Sequence, residues 1–425
     1  MSSPRLATER PPLLFVAPIM PAAGGNGLAM RAGVFLDALA RDFQVTLLVI
    51  PVAGGAIDAI PEYVASRSRR VHIVRLDGKL DPLWDLSCRL LDPTLRAAAL
   101  ARYPRPALCR YVTTPMRDAV AAALAGDRFA AVHVMRSYLA PYAAPALHRE
   151  AVVGPALSID LDDDEAATHD RLAALWHRLG MADEARIAAA EAAKYRQHEA
   201  QWLPRFDMLI ACTDDQISRL ATAVPQSRQA VVPNTVALPT PTARQRVAGS
   251  RLLFVGNLSY WPNVDGIVWF SREVLPLLRV AIADVTLRIA GGQPAPEVAG
   301  LAAIPGIEVI ANPTDLGDHY AWADLAVVPI AAGGGTRIKL LEALAYGLPV
   351  VATTIGAEGI EAASGEHLVL ADAAVSFADA CASILADPEQ AARLAANGRR
   401  LVETRYQHQL GVAAVRQAFC RLVGA

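Results

Sequence analysis

The sequence predicts an α/β protein of two domains, each a parallel sheet with helices on both faces. Three observations carry this. Short apolar runs that end at Gly or Pro alternate with helical stretches along the chain, the pattern of parallel strands joined by crossover helices. The runs are continuously apolar, as in strands buried on both faces. A Pro-rich stretch, Pro233–Pro241, divides them into two series.

The first series is Leu13–Ala17, Val45–Ile50, Ala130–Met135, Ala156–Ile159, Met208–Cys212 and Ala230–Val232. The second is Leu252–Val255, Val285–Ala290, Ile307–Ile310, Leu325–Val328 and Val350–Ala352. Residues 165–205, rich in Ala, Glu and Arg, read as two helices broken near Gly180, and the tail from Pro388 onward is helical. The expected division is 1–240, 241–400 and a terminal helix over 401–425. At about 100–200 residues per domain, 425 residues accommodate two to four domains.

Composition narrows the function. Hydrophobic residues make up 53% and charged residues 19%, so the chain is globular. A formal net charge of -2 argues against nucleic acid as a partner. Residues 1–110 hold 14 Lys+Arg and 9 Asp+Glu, a local +5, which leaves -7 for the rest. The Arg-rich segments Arg67–Arg75 and Arg96–Arg110 suit peripheral contact with an anionic membrane, or else form a solvated face. Five cysteines without metal-like spacing fit a reducing, cytoplasmic setting. No run of 18 apolar residues suggests a membrane span. The run Leu13–Ala17 after Arg5 and Arg10 is too short for a signal peptide and reads as the first strand.

Two glycine-rich turns are candidate sites. After the first strand, Gly24, Gly25, Asn26 and Gly27 lead into a helix carrying Arg31. Glycines admit close backbone approach and a helix N-terminus favours anions, so this is a candidate acceptor or phosphate loop. The match to a dinucleotide fingerprint is partial, and no acidic residue closes a second strand, which weakens a dehydrogenase reading. A turn without a ligand is the alternative. The second turn follows the strand ending at Pro329 and is more informative: Gly333, Gly334, Gly335, Thr336, Arg337, Ile338, Lys339, with Glu342 about a turn later. Cations at a helix N-terminus oppose its dipole, so Arg337 and Lys339 point to an anionic ligand that offsets that repulsion. Glu342 suits a ribose diol.

With Leu253–Leu258 (LFVGNL), Trp261–Asp265 (WPNVD), Leu287–Gly292 (LRIAGG), Tyr346–Thr353 (YGLPVVAT) and Pro233-Asn234, these residues resemble the retaining glycosyltransferases of family 4. The resemblance covers most of 12–425 and is strongest over 251–361. It implies the GT-B fold: two Rossmann-like domains facing across a cleft, with a C-terminal helix crossing back to the first. It implies a nucleoside diphosphate sugar as donor, no cofactor and no metal, and work in polysaccharide or glycolipid assembly. Donor contacts map to Gly256, Asn257, Gly291, Gly333–Gly335, Thr336, Glu342 and Glu358.

Two departures stand out. The family signature is two glutamates separated by seven residues; here the second is Glu342 and the first position is Gly334. The Arg and Lys that often grip the pyrophosphate after the first donor-domain strand are Asn257 and Pro262. Arg337 and Lys339 are expected to supply that charge from the opposite side, as in a subgroup with Gly-Gly-Gly-Thr-Arg-x-Lys-x-x-Glu.

Three further residues complete the candidate set. The run Asp160–Glu165 (DLDDDE) contains Asp-x-Asp, which reads either as a metal–diphosphate motif or as a helix N-cap. Within it Asp160 or Asp162 is the candidate cleft-facing carboxylate. His133, near the end of its strand, is a candidate acceptor-side base or a buried structural histidine. Glu358 sits after a strand at the cleft edge. The expected activity is sugar transfer from a nucleoside diphosphate sugar to an unidentified acceptor hydroxyl. The alternatives are a catalytically silent binding partner and a nucleotide-sugar epimerase or hydrolase of the same fold. The sequence sets no oligomeric state.

Overall fold

The structure, a computed structural model, describes residues 10–53, 57–144, 154–240, 250–335 and 337–424. The chain divides into two compact units, Met1–Pro233 with Gly411–Ala425, and Asn234–Leu410. The break thus falls at 233/234 rather than at 240, and residues 401–410 stay with the second unit.

The first unit is built on a seven-stranded parallel sheet in the order β3-β2-β1-β4-β5-β6-β7. Its strands are β1 (Pro12–Ala17), β2 (Gln44–Val49), β3 (Arg70–Ile73), β4 (Ala131–Met135), β5 (Ala156–Leu161), β6 (Met208–Ala211) and β7 (Arg228–Val231). The second unit has a six-stranded parallel sheet in the order β10-β9-β8-β11-β12-β13. These are β8 (Arg251–Val255), β9 (Thr286–Gly291), β10 (Ile307–Ala311), β11 (Leu325–Val328), β12 (Val350–Ala352) and β13 (Val369–Leu370). Both sheets reverse strand order beside their first strand. The resulting switch points lie between β1 and β4 and between β8 and β11, where open α/β sheets bind ligands at strand C-termini.

Eight helices carry or position the notable side chains: α1 (Gly27–Asp42), α2 (Pro82–Cys88), α3 (Pro93–Arg102), α4 (Glu165–Arg178), α5 (Ala182–Trp202), α6 (Trp261–Trp269), α7 (Ile338–Ala345) and α8 (His408–Val423). Local chemistry sets several boundaries. Asn26 caps α1, its side chain accepting from the Leu28 and Ala29 N–H groups. Asp164 caps α4 in the same way through Ala167. The helical stretch 165–205 breaks between α4 and α5, around Gly180. Val412, Val415, Ala418, Phe419 and Leu422 of α8 lie in the same buried cluster as Leu13, Phe15 and Phe35. The last helix is therefore part of the first unit's core.

Two strands lie outside the apolar runs. β3 is an edge strand, only half buried, in which Arg70 and His72 alternate with Val71 and Ile73. β13 is a two-residue edge strand. An edge position has one neighbour and less burial, so the continuous apolar signal of an interior strand is missing.

Candidate functional site

The second unit's switch point gathers the glycine-rich signature. β11 leads into the turn holding Gly333 and Gly335, both with positive φ (114° and 69°), the left-handed region that favours glycine. Helix α7 begins at Ile338, later than the sequence suggests, with Arg337 at its N-cap position. Arg337 is buried and folds back, its Nη1 donating to the Gly334 carbonyl at 2.6 Å. Thr336 lies outside the described residues.

Lys339 reaches from α7 to the neighbouring turn after β8. Its Nζ donates to Asn263 Oδ1 at 2.5 Å and lies 4.7 Å from the centroid of the Phe254 ring. Asn263, buried in the first turn of α6, donates its Nδ2 to the Asn257 carbonyl at 2.7 Å. A Cβ on Gly256 would stand 2.8 Å from Lys339 Nζ and 2.9 Å from Asn263 Nδ2, so a side chain there would displace the Lys339 amine or the Asn263 amide from this position. Asn257 is exposed, and its Oδ1 accepts from the Ser259 N–H and hydroxyl. Gly291 closes β9 beside this turn, where the Gly256 N–H donates to the Ala290 carbonyl.

The electrostatics are unusual for a free helix end. Burial, with the nearby Arg337 charge, pushes the Lys339 ammonium down to about 7. Burial pushes the Glu342 carboxyl up to about 7, against the Tyr320 hydroxyl that donates to its Oε2 at 3.0 Å. Tyr320 in turn stacks on Tyr346, with ring centroids 4.5 Å apart. Both charged forms are disfavoured at neutral pH until something compensates them. An anion against Lys339 and a donor diol against Glu342 would do so.

Glu358 is exposed after a short turn, Ile355–Ala357, that follows β12. That turn is held by Thr353, whose hydroxyl donates to the Ile330 carbonyl and accepts from the Gly356 N–H. Thr354 donates from its N–H and hydroxyl to Asp372.

The first unit places its candidates differently. Gly24, Gly25 and Asn26 are exposed, and Gly27 opens α1. Arg31 is not available to that loop. It is buried and pairs in bidentate fashion with Asp160, at 2.7 and 2.6 Å, while donating to the Val232 carbonyl. His133 also needs correcting. It lies mid-strand and fully buried, stacked on Phe35 at 4.6 Å, near Phe15 and Phe419, with Nδ1 2.9 Å from the Ser158 hydroxyl. Burial pushes its imidazole down to about 3. It is a structural histidine, because the alternation along β4 turns residue 133 toward α1 and α8 rather than toward the strand end.

Asp162 is buried between two arginines. Arg136 donates to its Oδ2 at 2.8 Å, and Arg31 Nε lies 3.7 Å from its Oδ1. Cys212 Sγ donates to its carbonyl and to Oδ1. Arg136, in a positive-φ conformation (76°) just after β4, also pairs with Glu165 at 3.0 Å. The acidic run thus binds arginines and caps α4. Burial among carboxylates pushes Glu165 up to about 8, and burial pushes Glu199, which accepts from Ser137, up to about 7.

Sequence reasoning does not find Asn263, Tyr320, Tyr346 or Arg136. Asn263 and Tyr346 lie inside the stretches WPNVD and YGLPVVAT that carry the resemblance, which gives them no individual role. The others meet their partners only through the fold.

The model of the family "Glycosyl transferases group 1" matches residues 249–387. The "uncharacterized 44.6 kDa protein in cps region" of Klebsiella pneumoniae is 33% identical over 135 residues, 30% of this chain; the chain spans about a third of that relative, 35%. Among solved structures, sucrose-phosphate synthase from Thermosynechococcus elongatus superposes with a TM-score of 0.66 at 17% identity, covering 98% of this chain and 100% of that one. TarM gives 0.66 at 9% identity, covering 98% and 99%. Anabaena HepE in complex with UDP and glucose gives 0.60 at 14% identity, covering 97% and 99%. Residues 249–387 thus match the glycosyl transferases group 1 model, and the chain as a whole has the GT-B fold.

Proposed function

We propose that this chain transfers a sugar from a nucleoside diphosphate sugar to an acceptor hydroxyl, with the donor held by the second unit. One observation carries the reading. Lys339 spans from the helix after β11 to the turn after β8 and sets a desolvated amine, charged once an anion binds, at the sheet's switch point. A diphosphate there is stabilised by Lys339, by Arg337 and by the N-terminal amides of α7. As the bond to the sugar breaks, negative charge grows on that diphosphate, and fixed donors already aimed at it lower the barrier. Glu342, oriented by Tyr320, accepts from the ribose diol.

The finer features rest on likeness. A uridine nucleotide is favoured because HepE is described in complex with UDP and glucose. Work in polysaccharide assembly is favoured by the likeness to the protein from a cps region. Retention of anomeric configuration follows the family resemblance. Independence from a metal is expected because Lys339 and Arg337 supply the charge a divalent ion would bring.

Thermal stabilisation by UDP, GDP, ADP, dTDP and NAD, with and without Mg²⁺, tests this. At 100 times its dissociation constant a ligand adds about 2.7 kcal/mol. The expected result is a shift with one nucleoside diphosphate, unchanged by Mg²⁺ and weakened at least about tenfold in Lys339→Ala, the loss of one charge-assisted contact. An NAD-only shift, or no shift with any nucleotide, overturns the reading. Gly334, in place of the first signature glutamate, keeps a second reading: nucleotide binding without transfer, recognised as stabilisation with no sugar turnover.

A further inference from the structure

In the first unit, α2 and α3 form a helical hairpin fixed to α5. The inner side is well tied. Lys194 Nζ donates to the Leu100 carbonyl at 2.9 Å, the Ala107 N–H donates to Glu191 at 2.7 Å, and the Tyr103 hydroxyl donates to Asp81 at 3.0 Å. The outer side is apolar and open. Leu83, Leu86, Leu91 and Leu95 are 52%, 64%, 94% and 62% exposed. Twelve large apolar side chains are exposed among the described residues, and four of them fall in these thirteen positions. Scattered exposed leucines need no explanation, but a cluster on a rigid platform marks an interaction surface.

The charge around the cluster identifies the partner. Between residues 79 and 110 stand six basic residues, Lys79, Arg89, Arg96, Arg102, Arg105 and Arg110, against three acidic ones, a net +3. The three carboxylates are engaged, Asp81 and Asp92 capping α2 and α3, Asp85 pairing with Arg89 and Asp81 lying 3.6 Å from Arg105, so two of the six cations are partly neutralised and the excess positive charge rests with Lys79, Arg96, Arg102 and Arg110. Exposed leucines on a helix pair whose sequence carries an excess of long cationic side chains match the boundary between acyl chains and anionic headgroups. We propose that the α2–α3 hairpin docks this protein on the surface of an anionic lipid bilayer, with the four leucines entering the acyl boundary and the flanking arginines meeting lipid phosphates. The proposal is independent of the sugar-transfer reading, because it concerns a face of the first unit and no nucleotide contact. It narrows the membrane contact expected from the two Arg-rich segments to the second of them, Arg96–Arg110, and adds the leucines. In the Arg67–Arg75 segment, Arg67 pairs with Asp37 and lies over Tyr63, and Arg70 pairs with Asp127.

Vesicle flotation of the full chain tests it, with phosphatidylcholine alone and with a phosphatidylcholine–phosphatidylglycerol mixture. The wild type is expected to float with the mixture, far less with phosphatidylcholine, and less as salt is raised. The triple variant L86S/L91S/L95S is expected to lose roughly tenfold or more in partitioning. The variant R89A/R96A/R102A is expected to lose about fivefold per charge on the anionic mixture and little on phosphatidylcholine. Melting curves identify folded variants; if the triple variant melts early, Leu91→Ser alone replaces it, since that side chain has the fewest contacts to lose. Absence of flotation, or flotation indifferent to the leucine changes, overturns the proposal. So does concentration-dependent self-association that the leucine variants abolish, which assigns the surface to a second copy of the chain.

Discussion

Lys339 holds the sharpest consequence of the structure at the level of single residues. Its ammonium is pushed down to about 7 by burial and by Arg337, so near neutrality a large share of the free protein carries a neutral amine. A bound diphosphate favours the charged form, and binding then takes up a proton. Affinity for a nucleoside diphosphate sugar, whose diphosphate does not titrate in this range, should fall as pH rises above about 7. The limit is roughly tenfold per pH unit for one proton. Lys339→Arg, which stays charged throughout, should flatten that profile between pH 7 and 9. Calorimetric titration at several pH values reads both, and a wild-type profile as flat as that of the arginine variant refutes the assignment. How far this was legible depends on where each partner lies. Three glycines, Arg337, Lys339 and Glu342 sit in one short segment and announce an anion site. Asn263 and Tyr320, which hold Lys339 and Glu342, stand 76 and 22 residues away. No periodicity links them to their partners, and only the switch point of the sheet brings them near.

Between elements, the acidic run after β5 shows how a motif read as chemistry becomes a joint. Asp-x-Asp read either as a metal site or as a helix N-cap, and the cap is what forms: Asp164 caps α4, while Asp160 is bidentate to Arg31 of α1 and Asp162 meets Arg136 after β4. The run fastens two strand ends to two helices. Removing one partner of a buried pair strands the other charge away from water and costs about 3–5 kcal/mol. Asp160→Ala should therefore lower the stability of the first unit by about that amount, while nucleotide affinity of the second unit stays within about twofold, near the ±0.5 kcal/mol of a distant change. Chemical denaturation and nucleotide titration on the same variant check this; a large loss of nucleotide affinity with stability intact returns the run to the donor site. The elements most legible in the sequence were the interior strands, since burial on both faces writes a continuous apolar run. The edge strands β3 and β13 left no such mark. His133 misled for a related reason. Its distance from the strand end was readable, but not which face of β4 it occupies.

For the molecule as a whole, the chain's path matters more than its sheets. The first unit is complete only with residues contributed after the entire second unit has been traversed. Phe419 of α8 packs edge-on to Phe43 at 5.9 Å and to His133 at 5.4 Å, fully within the cluster built on β1 and α1. Such sequence-distant contacts are formed at the expense of long loop closure, so the last helix should dock late and govern the first unit's stability. Truncating Phe419 to alanine removes a buried ring and leaves a cavity, at a cost of about 3–5 kcal/mol. The expected outcome is selective: hydrogen exchange in Phe419→Ala should accelerate in β1, β2, β4 and α1, whereas β8, β9 and β11 keep their protection and the second unit keeps its nucleotide-induced stabilisation. Equal loss of protection in both sheets would mean that the two units unfold as a single cooperative block, and the division of the chain at residues 233 and 411 would then describe its architecture but not its energetics.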